Sequence, residues 1–202
     1  MMNTGEKIVK SKNRLLSTIA YQINNKTFYA IEGSIFTAGS LVQWLRDQLG
    51  IISNASEIES LASTVKDSGG VTFIPALSGL GAPYWNPKAT GSILGITRGT
   101  EKGHIARAAL EGIAIRTYEI IKNMQKDANT QFTNLKVDGG ASNNNLLMQI
   151  QSNLIEANVI RPVITETTAL GVGFLAGLGS GYWKSIEDLK NIWKHDRKFL
   201  PE

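Results

Sequence analysis

Cysteine is absent from the 202 residues, which excludes disulfides, thiolate metal sites, iron–sulfur ligation and a cysteine nucleophile together. Histidine is nearly absent: His104 and His195 are the only two, too few for an imidazole metal cluster, so a metal is expected only if a substrate brings it. No apolar run approaches the roughly 18 residues that cross a bilayer, the longest being residues 169–179. No charged-then-apolar leader opens the sequence either, so no membrane partner is expected and the expected location is the cytoplasm. Charge of one sign is also modest, with 21 Lys and Arg against 17 Asp and Glu for a net +4. The basic residues are scattered apart from small groups at 7–14 and 194–198, whereas a nucleic-acid footprint needs a clustered stripe with stacking aromatics; no nucleic-acid partner is expected.

What remains is a globular composition, 42% hydrophobic and 19% charged, in a chain long enough to bury a core without covalent staples. The spacing predicts a hairpin over 14–21 and 26–32, separated by Asn24-Asn25, whose side chains tolerate positive φ. A helix is expected over 34–49, from Ile35, Ala38, Val42, Leu45 and Leu49 at alternating spacings of three and four, with Gly50 as its stop. A short helix over 56–66, a buried strand over 71–75, a Gly/Pro-rich loop over 78–91 and a strand over 92–97 follow. The longest helix is expected over 101–126, with Ala106, Leu110, Ile113, Thr117, Ile120 and Met124 on one face. Strands over 135–138 and 158–161 then alternate with helices over 143–156, 167–179 and 186–194, which implies an α/β layer structure with ligands near the carboxyl ends of strands. No repeat or linker divides residues 1–202.

Two short constellations carry candidate chemistry. In the run from Val137 to Asn145 a strand meets a helix through Gly139 and Gly140, and glycines there let backbone amides approach a phosphate or nucleotide at the helix N-terminus. The same residues also read as a tight turn capped by Ser142 or Asn143, with Asp138 accepting loop amides or holding a magnesium-bound water. Gly39, Gln43 and Arg46 lie at i, i+4 and i+7 beside the apolar stripe, so they either border a groove or are a packing glycine and a solvated glutamine.

Other features read as structural. Residues 79–87 concentrate rigid turn formers and two aromatics in an ordered loop. Ala169, Gly173 and Gly177 are expected to let their helix pack closely on a neighbour, and His104, at the positive end of a helix, to be structural. Gly171-Val172-Gly173 lacks the spacing of a dinucleotide fingerprint, and no nucleophile elbow, catalytic triad or P-loop is present.

The run from Gly91 to Glu111, with Ile93, Gly95, Ile96, His104-Ile105 and Ala108-Ala109-Leu110, resembles the C-terminal signature of the FGGY carbohydrate kinases. Glu32 to Phe36, Gln43 to Asp47, Gly79 to Trp85, Thr97-Arg98-Gly99 and Val137 to Ala141 are similar to the glycerol kinase branch of that family, and the resemblance covers nearly the whole chain. It implies an α/β, ribonuclease-H-like fold of the actin, sugar-kinase and Hsp70 type, a mixed sheet flanked by helices, with residues 1–202 as the nucleotide-binding C-terminal domain. It also implies ATP or ADP with magnesium, glycerol as acceptor, and Gly39, Gln43, Gly140 and Asn144 as nucleotide contacts meeting at one ATP. The family's general-base aspartate, phosphate loops and most glycerol contacts lie upstream of the matching segment. No residue here is therefore assigned as catalytic or metal-binding, and the chain alone is expected to be inactive without its N-terminal substrate domain. The intact enzyme is expected to form homo-oligomers. The other readings are a family member acting on another polyol or sugar, and a non-catalytic interaction module.

Overall fold

The computed structural model describes residues 1–202, and its internal contacts divide the chain into two compact units, Met1–Phe132 and Thr133–Glu202. In the first, strand β2 (Leu16–Ile23) turns through Asn24 and Asn25, at φ +51° and +60°, into β3 (Lys26–Glu32), so that Ile23 faces Lys26 and Leu16 faces Glu32. Two successive left-handed residues match the strand twist, which is why the asparagine pair makes this hairpin. A short strand that periodicity does not reveal, β1 (Met2–Gly5), adds to the far side of β3 in antiparallel register.

Helix α1 (Gly39–Asp47) is shorter than its apolar spacing predicts. The Ser34 carbonyl accepts a hydrogen bond at 2.9 Å from the Ala82 amide, which ties residues before the helix to the loop over 78–91 and keeps them from coiling. Leu45 of the expected stripe is wholly buried, but its core partner is Leu41, also wholly buried, while Val42 is half-buried and Leu49 exposed, so the stripe is only partly the expected one. Gly50, at φ +60°, ends the turn as expected, with the Ile51 amide donating back to the Leu45 carbonyl.

Helix α2 (Glu57–Ala62) stops early because the Ser63 and Thr64 hydroxyls take the carbonyls of Glu59 and Leu61. Strand β4 (Thr72–Ile74) pairs antiparallel with β5 (Ser92–Leu94) and buries only one face, through Phe73. Helix α3 (Lys102–Ala128) is the spine of this unit, and its buried residues include Ala106, Leu110, Ile113, Ile120 and Met124, all on the expected face. His104 Nδ1 accepts the Glu101 amide at 3.0 Å, closing a capping box, which is the structural role expected of it. Ile120 and Met124 pack with Leu15, Ile31 and Ala82 in one cluster.

The loop over 78–91 is rigid for polar reasons as well as turn chemistry. Buried Arg116 donates to the Ala82 carbonyl at 2.7 Å and pairs with Glu119, Tyr84 donates to Glu119, and the Trp85 indole donates to the Arg14 carbonyl. The hydrogen bond to the Glu119 carboxylate, together with burial, raises the Tyr84 pKa above its ordinary value.

In the second unit, β6 (Asn134–Lys136) lies parallel to β7 (Asn158–Pro162), and β8 (His195–Phe199) lies antiparallel on the other side of β7. Helix α4 (Asn145–Ile155) makes the crossover, and its Ser152 hydroxyl ties it to the Ala157 and Phe199 carbonyls. Of the helix expected over 186–194 only α6 (Ile186–Lys190) forms, and β8, which was not expected, follows it from His195. A charged edge strand with one buried residue, Phe199, has no alternation to read.

Helix α5 (Thr167–Gly179) has the expected bounds, but no residue of it is buried. A Cβ at Gly173 would meet nothing within 4 Å, and of the small-residue stripe only Gly177 is closely approached, by Trp183. The helix is apolar on every side, so its sequence names no buried face, and the expected close packing at Ala169 and Gly173 does not form. No helix of the chain is long and apolar enough to cross a membrane.

Candidate functional site

Of the four residues singled out for nucleotide binding, Gly39 and Gln43 lie one turn apart on α1 in the first unit. Burial of Leu41 and Leu45 turns the opposite side of the helix outward, and Gln43 is exposed there. Ala38, at the N-cap, offers no side-chain acceptor; the Leu41 amide donates to the Ala38 carbonyl at 2.9 Å, and the Gly39 and Ser40 amides before it have no side-chain cap. Arg46, the third member of the line, is committed elsewhere: it forks onto Asp47 with bonds of 2.6 and 2.9 Å.

Gly140 and Asn144 belong to the loop after β6 in the second unit. Gly139 turns the chain at φ +76°, a conformation a side chain disfavours, and its amide donates to the Thr165 carbonyl at 2.8 Å. Gly140–Asn143 then form one turn of 3-10 helix, stitched by the Ser142 amide and hydroxyl, both donating to the Gly139 carbonyl. The helix cap is Asn144 rather than Ser142 or Asn143: its Oδ1 accepts the Leu147 amide at 2.8 Å. The inserted 3-10 turn delays the α-helix by two residues and moves the cap with it. That bond also settles the amide's orientation and leaves Nδ2, a donor of two hydrogen bonds, for other acceptors.

Gly140 is exposed, a Cβ there would meet nothing within 4 Å, and its φ is not left-handed. Neither packing nor backbone conformation therefore requires glycine at 140, in contrast to 139. Asp138, exposed at the end of the strand, accepts the Thr167 hydroxyl, which joins the loop to the start of α5 in place of the loop-amide bonding expected. No group of three or more His, Asp or Glu side chains is arranged to hold a metal ion.

Arg161 is the residue that sequence reading missed. It sits at the carboxyl end of β7, and the parallel register that pairs Lys136 with Ile160 brings that end beside the loop leaving β6. Its guanidinium donates to the Ser142 and Asn143 carbonyls, to Asn145 Oδ1 and to Asp196. The sequence signal was a basic residue at a strand's carboxyl end, where ligand loops of parallel sheets gather.

Over residues 1–180 the chain matches the FGGY family of carbohydrate kinases, C-terminal domain. It is 54% identical over 201 residues to the glycerol kinase of Burkholderia multivorans, a match covering 100% of this chain and 40% of that protein. With glycerol kinase 2 of Thermotoga maritima the identity is 56%, at the same coverage of each. The crystal structure of Plasmodium falciparum glycerol kinase with ADP superposes with a TM-score of 0.90 at 40% identity, covering 99% of this chain and 40% of that one. The chain thus spans 40% of the length of these curated relatives.

Proposed function

The chain belongs to the FGGY family of carbohydrate kinases and has its α/β, ribonuclease-H-like fold, and from that premise we propose that it is the nucleotide-binding part of an ATP-dependent glycerol kinase. The observation that carries the reading is identity above half, along the whole chain, to glycerol kinases of distant bacteria. That level of identity favours glycerol over another polyol or sugar as the acceptor. The neighbour whose crystal structure holds ADP supports a nucleotide as the ligand of this part.

The reaction moves the γ-phosphoryl group of ATP to a terminal hydroxyl of glycerol. The O–P bond to the β-phosphate breaks, a new O–P bond forms on glycerol, and the hydroxyl proton passes to a base, giving glycerol 3-phosphate and ADP. In this reading Gly39 and Gly140 let backbone approach the nucleotide, while Gln43 and Asn144 present side-chain amides to it. The unrequired glycine at 140 supports a ligand-driven need for an open backbone. Magnesium arrives with the nucleotide as substrate, neutralising phosphate charge. The base, an aspartate by resemblance, is supplied by an N-terminal domain of the kind the relatives carry, and so are most glycerol contacts. The enzyme acts in the cytoplasm.

Residues 1–202 alone are accordingly expected to bind ADP and to turn over nothing. A coupled assay on the purified chain checks this: ADP release that depends on glycerol would sink the division of labour, and absence of any saturable ADP binding by calorimetry would sink the nucleotide assignment.

A further inference from the structure

A four-residue 3-10 turn headed by two glycines is a poor object to hold still on its own. Glycine loses more conformational freedom than any other residue when fixed, and 3-10 hydrogen bonds are weaker than those of an α-helix. Yet this turn sets where Gly140 and Asn144 sit. Its two ends are fastened by the Gly139 amide on the Thr165 carbonyl and by the Asn144 cap on the Leu147 amide. Within the turn the Ser142 amide and hydroxyl hold the Gly139 carbonyl, and from outside its middle is fastened by Arg161.

Arg161 Nη1 donates to the Ser142 carbonyl at 2.9 Å, the Asn143 carbonyl at 3.2 Å and Asn145 Oδ1 at 3.1 Å. Nε and Nη2 donate to Asp196 Oδ2 at 2.9 and 2.7 Å. The side chain is 11% exposed and its guanidinium also lies over the Phe199 ring. Ser142 is buried, so its carbonyl needs a partner inside the protein, and the turn provides none in its own backbone. A planar guanidinium serves a carbonyl pair on one edge and a carboxylate on the other; an ammonium has neither the span nor the fixed plane. Asp196 matches most of the positive charge, which argues against Arg161 as an anion binder in its own right.

We propose that Arg161, oriented by Asp196, is the positioning residue of the nucleotide loop: it fixes the carbonyls of residues 142 and 143 and thereby the placement of Gly140 and Asn144. The proposal rests on reading those two residues as nucleotide contacts. It makes ADP affinity depend on the forked shape of residue 161 and not on its charge.

The test is ADP calorimetry on the purified chain, at a temperature where every variant is folded, for Arg161→Lys, Arg161→Gln, Asn144→Ala, the double variant Arg161→Gln/Asn144→Ala, and Asp196→Asn. Both Arg161 variants are expected to weaken ADP by about tenfold or more, the loss typical of a charged hydrogen-bond donor. The double variant should fall short of the product of its singles, because both act on one contact. Asp196→Asn, at a half-exposed position that keeps an acceptor, should fold normally and weaken ADP by a smaller factor. Parent-like affinity in Arg161→Gln or in Asp196→Asn, retention in Arg161→Lys with loss in Arg161→Gln, or strict multiplication in the double variant would each overturn the proposal.

Amide hydrogen exchange supplies a readout that needs no nucleotide. The Ser142 and Asn144 amides should exchange about tenfold faster or more in both Arg161 variants, with Val159 unchanged; equal protection of those amides also overturns it. A purely stabilising role would lower Tm and leave ADP affinity of the folded protein intact. If Asn144→Ala weakens ADP and the Arg161 variants do not, the clamp fails and the site stands. If the parent chain does not bind ADP, or Asn144→Ala leaves its affinity unchanged, the site reading fails and the proposal with it.

Discussion

Gln43 and Asn144 carry the same functional group to the same proposed ligand, but the protein holds the two in different ways. Gln43 rides on a regular helix whose orientation comes from two wholly buried leucines, Leu41 and Leu45, and its own side chain does no structural work. Asn144 is itself the cap of α4, and the turn before it is held by a side chain seventeen residues further on and a carboxylate on another strand. In the first segment hydrophobic packing places a polar group as a by-product. In the second, polar contacts create the shape. Substitution of Gln43 should therefore separate binding from stability cleanly, and substitution of Asn144 should not.

The largest effect that would break the comparison is on the first segment's packing. Leu45→Ala should cost about 2–5 kcal/mol in urea unfolding, since it empties a wholly buried site under α1. A loss below about 1 kcal/mol would mean that packing does not place Gln43. Gly140→Trp should abolish ADP binding seen by calorimetry while shifting stability by no more than about 0.5 kcal/mol, because a side chain there enters open space. Unchanged affinity would remove Gly140 from the site.

The contrast is sharpest between the two amides. Gln43→Ala should cost about 0.5–1.5 kcal/mol of ADP binding, one ordinary hydrogen bond, and leave unfolding unchanged. Asn144→Ala should lose binding and also about 0.5–2 kcal/mol of stability with its helix cap. Equal stability profiles for the two would erase the distinction.

The smallest expected effect is a pH dependence in the first unit, away from either segment. Partial burial pushes the Asp127 carboxyl up, but hydrogen bonds from Ser11, Lys12 and Asn13 outweigh it and leave the pKa below its ordinary value. Its contribution is thus complete above an unfolded-state value of about 3.9 and is lost as pH falls through the lower folded value. Urea titrations of the parent and Asp127→Asn should converge at strongly acid pH and diverge above it; parallel curves would contradict the brace.

Where residues close in sequence decide the structure, the sequence alone was informative. Asn24-Asn25 announced its hairpin, Thr167 and Gly179 bounded α5, and the buried face of α3 could be read from spacing. Spacing misled where a distant group intervened. Ser34, bonded to Ala82, keeps residues 34–38 out of α1. Strand β8 carries no readable signal because a charged edge pairing only with β7 shows no alternation, and the apolarity of α5 on all sides does not say what is buried.

The same division runs through the site. Gly139 and Gly140 were visible as a turn, whereas Arg161 was not, since its partners come together only through the parallel pairing of β6 and β7. The signature run that carried the family resemblance proves largely architectural: His104 caps α3, Ala108, Ala109 and Leu110 are buried, and Gly95, at φ +78°, passes against the Gly70 carbonyl. The family is thus recognised through its packing, and the proposed ligand contacts lie outside that run.

One titration bears on the central claim most directly: ADP added to the isotope-labelled chain, with backbone amide resonances followed to saturation. The account predicts saturable shifts in both Gly39 to Gln43 and Gly140 to Asn144, at a common affinity. Saturable binding that moves neither segment, or only one of them, would contradict it.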